Sequence, residues 1–323
     1  MILKLVLGCV VGVAAIVTAI AASGSSVTLW TAAMLVLPVL GTLTGALVAG
    51  SGRGALADLF KAPGSISARR ARAAGETLAY AGRVLAMAGL TGFLVQFVYM
   101  MKSLEDRAAF WPNLAWAFGA PLVALVVHTL LVMPRRHSMS EAAATSEGLP
   151  CAAAEPEDAV PGTWSPARFA AGSLLTLASL IAFEPRAILS WLFVDAAALI
   201  VAIFIPVALV LAALSSGSIR RGFRALRDPG ASAEDIGAAV RSFSLMAAAL
   251  RRAAAIGAAT GFVFLIKDWL DRMRYGPTLA LALISVFWCA VLLLLFSLPL
   301  EAEAKRRGVV RDVPAHYVAP SAM

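Results

Sequence analysis

The sequence predicts an all-α, polytopic integral membrane protein with about eight transmembrane helices in two four-helix repeats. Of its 323 residues, 60% are hydrophobic and only 14% are charged, whereas a soluble domain is about a quarter charged and under half apolar. Apolar runs long enough to cross a bilayer as helices recur along the chain. These runs fall into two series with matching prolines and glycines, which indicates an internal duplication.

The ionisable residues argue against nucleic-acid binding, metal binding and conventional catalysis. The net charge is +8, but Lys and Arg flank the apolar runs, where they set membrane topology. Cys9, Cys151 and Cys289 show neither CxxC nor Cys/His spacing, and HExxH, GxSxG and phosphate-loop motifs are missing. We therefore expect no catalytic residue, no metal, no cofactor and no nucleic-acid partner.

The first predicted unit, residues 1–136, contains four spans. Residues 1–22 are either a retained helix or a removable signal peptide, because Lys4 precedes a long apolar core that ends in small residues. A basic loop, Ser51–Arg83, precedes the third span. The spans are Met1–Ala22, Val27–Ala49, Val84–Met101 and Pro112–Met133.

Residues 137–166 are predicted to form a flexible acidic linker, since they combine acidic residues with Ala, Ser, Pro and Gly and cannot bury much apolar surface. The second unit, residues 167–307, precedes a polar cytoplasmic tail, residues 308–323. Within its basic loop, Ser215–Arg252, Ser232 is a suitable helix N-cap, and that helix is expected to continue straight into the next span. The spans are Phe169–Phe183, Ala187–Leu214, the run that begins at Ala253, and Pro277–Leu300.

Matched motifs connect the two units. LTGF at Leu90 corresponds to ATGF at Ala259, and Pro134 lies 165 positions before Pro299. A difference of four residues is assigned to the turn that follows the TGF motif. The alternative is chance similarity, because Leu and Ala recur in any membrane helix.

The distribution of Lys and Arg predicts the topology. If both termini, both basic loops and the linker share one side, that side carries 21 of the 27 Lys and Arg residues. Basic residues concentrate on the cytoplasmic side of membrane proteins. We therefore expect a multi-pass protein of the bacterial cytoplasmic (inner) membrane with both termini in the cytoplasm.

Three segments of the second unit resemble the proton-channel family of MotA, TolQ and ExbB. FVDAAALIVAIFIP from Phe193 resembles the second span of that family, and GAATGFVFLIKDWLD from Gly257 resembles the third. YGPTLALALISVFWCAVLLLLFSLPLEAEAKRR from Tyr275 resembles the fourth. The first unit shows the same order more loosely. The chain departs from the family in its tandem duplication and in its short basic loops, where stator subunits carry a much larger cytoplasmic region.

The resemblance implies a homo-oligomer in the lipid bilayer, with four-span units in a ring around a single-span partner that carries a protonatable Asp. Ion flow would drive motion of the complex. A ring of five units cannot use both units of every chain, so we expect the later unit to line it. Two alternatives stay open, a secondary transporter with internal repeats and a non-conducting scaffold that keeps the fold.

Small and hydroxyl residues of the spans are the candidate ion-path residues. The resemblance places the third-span threonine near the ion path, although a threonine hydroxyl can instead bond its own backbone one turn back. A second group carries candidate structural or interfacial charge at the outer surface: Asp195, Lys267 and Asp268. The candidate pore-lining residues are Thr260, Gly261, Ser285, Thr91 and Gly92.

Overall fold

The computed structural model describes residues 29–51, 53–62, 65–101, 107–147, 165–181, 196–213, 216–228, 230–267 and 275–310. Every regular element in these ranges is helical, so the all-α prediction is confirmed there. Three described helices are long and apolar enough to cross a membrane, Ala68–Val98, Ala117–Ala143 and Ala282–Val309. The chain therefore has the character of a membrane-embedded protein. The number of spans stays a prediction, because several apolar runs lie partly or wholly outside the described residues.

Two π-helical segments interrupt an otherwise α-helical architecture. The first π segment, His128–Val132, joins α4 to α5, and the second π segment, Leu293–Ser297, joins α10 to α11. In chain order the helices are α1 (Leu29–Gly50), α2 (Arg53–Phe60), α3 (Ala68–Met101), α4 (Arg107–Val127), α5 (Met133–Glu147), α6 (Pro166–Ile181), α7 (Ala196–Ala213), α8 (Ser216–Arg227), α9 (Ala233–Lys267), α10 (Tyr275–Leu292) and α11 (Leu298–Val310).

Both predicted basic loops are largely helical. The first contains α2 and the start of α3, and the second contains α8 and the start of α9. As expected, α9 begins after Ser232, whose Oγ accepts a hydrogen bond from the Asp235 N–H at 3.1 Å, and it continues for 35 residues. These segments fold because apolar residues at helical spacing, Ile236, Val240 and Phe243, pack against α8 and α11.

The predicted flexible linker is wrong for residues 137–147, which belong to α5. Met139 and Ala143 lie four residues apart on one face and are buried, and α5 packs against α3. These apolar residues dock the otherwise polar helix on the bundle. Residues 148–164 lie outside the described residues.

A proline explains each π segment. The Met133 N–H donates to the carbonyl of His128, five residues back, and the Leu298 N–H donates in the same way to Leu293. Pro134 and Pro299 follow directly. A proline has no N–H and its ring crowds the carbonyl four residues back, so a wider turn just before it relieves that crowding.

In the second π segment, a neighbouring helix satisfies the carbonyl that the proline leaves without its helical donor. That carbonyl belongs to Leu295, four residues before Pro299. The Ser173 hydroxyl of α6 donates to it at 3.0 Å. A buried carbonyl without a partner costs free energy, so this contact stabilises both the π turn and the docking of α6.

Helices α1 and α6 approach each other closely. A Cβ on Gly45 would lie 2.6 Å from the backbone nitrogen of Thr176, and a Cβ on Gly172 would lie 2.4 Å from that of Ala49. The contacts run in opposite directions along the two helices, so the pair is antiparallel. Small residues at four-residue spacing let helix backbones approach within membranes. Because α1 and α6 come from opposite halves of the sequence, this crossing binds the halves together.

Helix α3 lies at the centre of the described core. It packs against α1, α2, α4 and α5 and also against α10 and α11. Tyr80 is fully buried, and its hydroxyl donates to the Ala46 carbonyl of α1 at 2.8 Å. The same apolar cluster contains Leu85 and Val95 of α3 together with Ile284 and Phe287 of α10. The two halves of the chain therefore share one core.

Candidate functional site

The two third-span threonines use their hydroxyls in the same way. Thr91 Oγ1 donates to the Met87 carbonyl at 2.7 Å, and Thr260 Oγ1 donates to the Ile256 carbonyl at 2.8 Å. Each bond closes on the same helix four residues back. A donating hydroxyl keeps acceptor lone pairs, so each oxygen can still accept a hydrogen bond. Pore lining stays a prediction for both residues.

The surroundings of the two threonines differ. Thr91 is fully buried in the core around α3, whereas Thr260 is exposed on α9. The structure does not bring them together, because Thr91 lies inside the core and Thr260 lies on an exposed face. Ala68 and Ala233, the first residues of α3 and α9, are 165 positions apart, whereas the threonines are 169 apart. When the two helices are superposed from their first residues, Thr260 lies four residues beyond the position of Thr91. It is therefore about one turn further along the helix and rotated by about 40° around the helix axis.

The other candidate pore residues lie in helix contacts. Gly92 is buried beside Thr91, and Ser285 of α10 is buried at 4% exposure. Gly261 faces α10 so closely that a Cβ there would lie 2.1 Å from the Cβ of Ala282. Among the candidate pore residues, Thr260 is therefore the one on an open face of the chain.

Of the three predicted interfacial charges, one lies within the described residues. Lys267 is the last residue of α9. Asp195 and Asp268 lie outside the described residues. Over the described ranges, no cluster of three or more His, Cys, Asp or Glu side chains is arranged to hold a metal ion.

A buried carboxylate joins the two halves at the polar end of the bundle. Glu301 of α11 is 3% exposed and accepts from Arg83 Nη1 of α3 at 3.0 Å and from Ser244 Oγ of α9 at 3.2 Å. The Lys305 ammonium lies 2.7 Å from the same oxygen. One carboxylate oxygen thus connects α3, α9 and α11. From the sequence, Arg83 was expected in a loop, and Glu301 was not among the candidate residues.

A second buried glutamate, Glu303, holds the arginine that connects α11 to α8. Glu303 accepts from Arg306 Nη2 at 2.6 Å and from Arg307 Nε at 2.9 Å. Arg307 Nη1 also donates to the carbonyls of Ala225 and Asp228 at the end of α8, at 3.0 and 3.3 Å. An arginine that caps the last carbonyls of a helix stabilises that end. The EAEAKRR spacing, with acids three and four residues before bases, is the signal that could have found both glutamates.

Arginines also hold α2 in place in the first half. Arg70 makes a two-pronged bond to Asp58, at 2.9 and 2.6 Å. Arg135 of α5 donates to the carbonyls of Leu59 and Lys61. Basic residues that the sequence analysis explained by topology therefore also form the polar contacts of this end of the bundle.

Two contacts define the register between α9 and the antiparallel α10–α11. Near the polar end, Ser244 lies opposite Glu301. Nearer the other end, Gly261 lies opposite Ala282. The intervening part of α9 therefore runs along the apolar stretch between Ala282 and Glu301.

Arg251 and Arg252 lie within that part of α9, and both are exposed. They are about 10 to 12 Å along the helix from Ser244, level with the end of α10 and the start of the second π segment. From the sequence, both were expected in a loop at the membrane surface.

Comparison with known proteins found no relative of this chain. No protein-family model matches the chain, and neither the curated proteins nor the solved structures contain a significant match.

Proposed function

We propose that the chain is an inner-membrane subunit of a MotA/TolQ/ExbB-like proton-channel complex, with two copies of a four-span unit and a single-span partner that carries a protonatable Asp. The observation that supports this proposal is that Thr260 is exposed whereas Thr91 is buried. A channel that forms between chains needs its lining residues on the outer surface of each chain. Thr260 meets that requirement, whereas Thr91 is enclosed within its own chain. The second unit would therefore line the ring and the first would pack outside it.

Helix bounds support the duplication. The first residues of the two π segments, His128 and Leu293, are 165 positions apart, as are Ala68 and Ala233 at the starts of α3 and α9. Similarity of apolar composition alone gives no reason for a π turn to recur at the same offset before a proline. The repeated turn therefore favours two copies of one unit over chance similarity.

Cysteine accessibility tests the ion path. In a background with Cys9→Ser, Cys151→Ser and Cys289→Ala, Thr260→Cys should react with a small water-soluble methanethiosulfonate in native membranes, because a pore is hydrated. Thr91→Cys is the matched control, buried on the equivalent helix, and should stay unreacted. No reaction of the Thr260→Cys variant would place that face against lipid and overturn the proposed lining.

A non-conducting scaffold is the second candidate. The observation in its favour is that both threonine hydroxyls bond their own helices and that most candidate polar residues are packed away. Proton flux in vesicles separates the two functions. The channel requires lower flux in Thr260→Ala and unchanged flux in Thr91→Ala, while normal flux in the double variant favours the scaffold.

A further inference from the structure

Helix α8 has one strongly basic face. Its twelve residues include four arginines and no acidic residue. At about 100° per residue, the arginines fall within an arc of about 120°, and the buried residues Gly222, Ala225 and Leu226 lie on the opposite side. The helix therefore docks on the bundle by one face and turns the other outward. The arginines, all exposed, are Arg220, Arg221, Arg224 and Arg227.

Three of these residues, Arg220, Arg221 and Arg224, are here called the three α8 arginines. Within the part of the chain that the structure describes, they form no ion pair with a carboxylate. Arg83 and Arg307, by contrast, pair with buried glutamates of α11. The three α8 arginines are therefore available to an anion from outside the chain.

Contacts with α11 place α8 at the end of a candidate membrane span. In the span Ala282–Val309, the residues before Glu301 carry no charge and form a helix about 28 Å long, close to the roughly 30 Å of the hydrocarbon core. Helix α8 packs just beyond this apolar part, where its buried residues share a cluster with Leu300 and Ala304. Its basic face is thus level with the layer in which lipid headgroups lie.

We propose that the three α8 arginines bind the phosphates of anionic phospholipids at the membrane surface. A guanidinium matches a phosphate with two parallel hydrogen bonds, and basic clusters on a helix next to a membrane span attract anionic headgroups. Phe223 lies beside the basic arc and is 39% exposed. Its ring provides apolar surface that a lipid covers and a soluble anion does not.

The orientation of α8 favours lipid over a second copy of the chain. The helix packs on the sides of α9 and α11, so its basic face points sideways from the bundle, toward the surrounding lipid. A symmetric contact between two copies through this face would bring arginines opposite arginines, and like charges repel. The inference rests on the membrane-embedded character of the chain and holds whether or not the chain conducts protons.

Native mass spectrometry of the full chain in mild detergent tests the proposal, with phosphatidylglycerol and phosphatidylcholine as probes. The unaltered chain should retain phosphatidylglycerol in preference to phosphatidylcholine. The variant R220Q/R221Q/R224Q should bind phosphatidylglycerol at least fivefold more weakly, since one basic residue near an anionic surface contributes roughly a fivefold gain. The variant R220K/R221K/R224K keeps the charge and should keep the preference.

A pair of single changes provides the matched control. Arg224 and Arg136 are both exposed, and each change to glutamine removes one charge, but Arg136 belongs to α5 in the first half of the chain. Arg224→Gln should weaken the binding of phosphatidylglycerol, whereas Arg136→Gln should leave it unchanged. Equal loss in the two variants would indicate unspecific attraction to a basic protein and would overturn the proposal.

Other outcomes would also overturn it. Equal binding by R220Q/R221Q/R224Q and the unaltered chain would remove the site, as would equal retention of the two lipids by the unaltered chain. Displacement of the lipid by millimolar inorganic phosphate would show an anion site without a role for the rest of the lipid. Dimers that disappear only in the triple glutamine variant would show that a second copy covers the face. If that variant fails to fold, Arg221→Gln alone should still weaken binding, and unchanged binding would contradict the proposal.

Discussion

Replacement of Glu301 by alanine should destabilise the folded chain by about 3 kcal/mol. The carboxylate is almost fully buried and has partners on α3, α9 and its own helix. Loss of one member of a buried ion pair costs about 3–5 kcal/mol, because the remaining charge stays desolvated. The lower end applies here, since the side chains of Arg83 and Lys305 keep 32% and 20% of their exposure and water can solvate them.

Reversible unfolding in mixed detergent and dodecyl sulfate micelles measures this change. Arg83→Ala should cost less, about 1–2 kcal/mol, because Glu301 keeps Lys305 and Ser244. Glu141→Ala is the control, since Glu141 and His137 form a pair whose side chains are 68% and 77% exposed, and the change should stay within about 0.5 kcal/mol. An unfolding midpoint at the wild-type position for Glu301→Ala would refute the reasoning, as would a larger loss for Arg83→Ala.

Three further predictions follow from the helix contacts and the topology. Gly45→Leu should lower the free energy of unfolding by about 2–3 kcal/mol, because the leucine side chain would overlap α6. Gly75→Ala, which has open space around it, should be neutral or gain up to about 1 kcal/mol in the same unfolding assay. Equal effects of the two changes would contradict the tight crossing. Ser173→Ala should lose about 1–2 kcal/mol of stability, because the buried Leu295 carbonyl loses its hydrogen-bond donor. Thr44→Ala is the control and should lose none, because its exposed hydroxyl bonds only its own helix. Unchanged stability of Ser173→Ala would show that the Leu295 carbonyl does not depend on Ser173. A membrane-impermeant thiol reagent applied to intact cells should leave Cys151 unlabelled, and labelling from outside would contradict a cytoplasmic linker.

Local features of the fold were predictable from the sequence. The Ser232 cap and the acids after it define the start of α9, because an N-cap acts within one turn. The matched prolines were interpreted only as a sign of internal duplication, and the structure shows a π turn directly before each of them. In both cases the physical cause lies within a few residues of the effect.

The contacts at the candidate site depend on packing between distant parts of the chain, so local sequence patterns could not predict them. Arg83 and Glu301 are 218 positions apart, and no local pattern indicates that they meet. The depth of Arg252 follows from the register between α9 and α10, which neighbouring side chains set only after folding. The same cause separates Thr91 from Thr260, since one helix is at the centre of the bundle and the other is at its edge.

The crossing of α1 and α6 has a consequence for how the protein can be divided. The contacts that bind the halves, Gly45 with Thr176 and Gly172 with Ala49, need no peptide bond between Glu147 and Ser165. Two separately translated fragments, residues 1–147 and 165–323, should therefore find each other in the membrane and copurify. Each half of the bundle could then be labelled, mutated or replaced independently of the other.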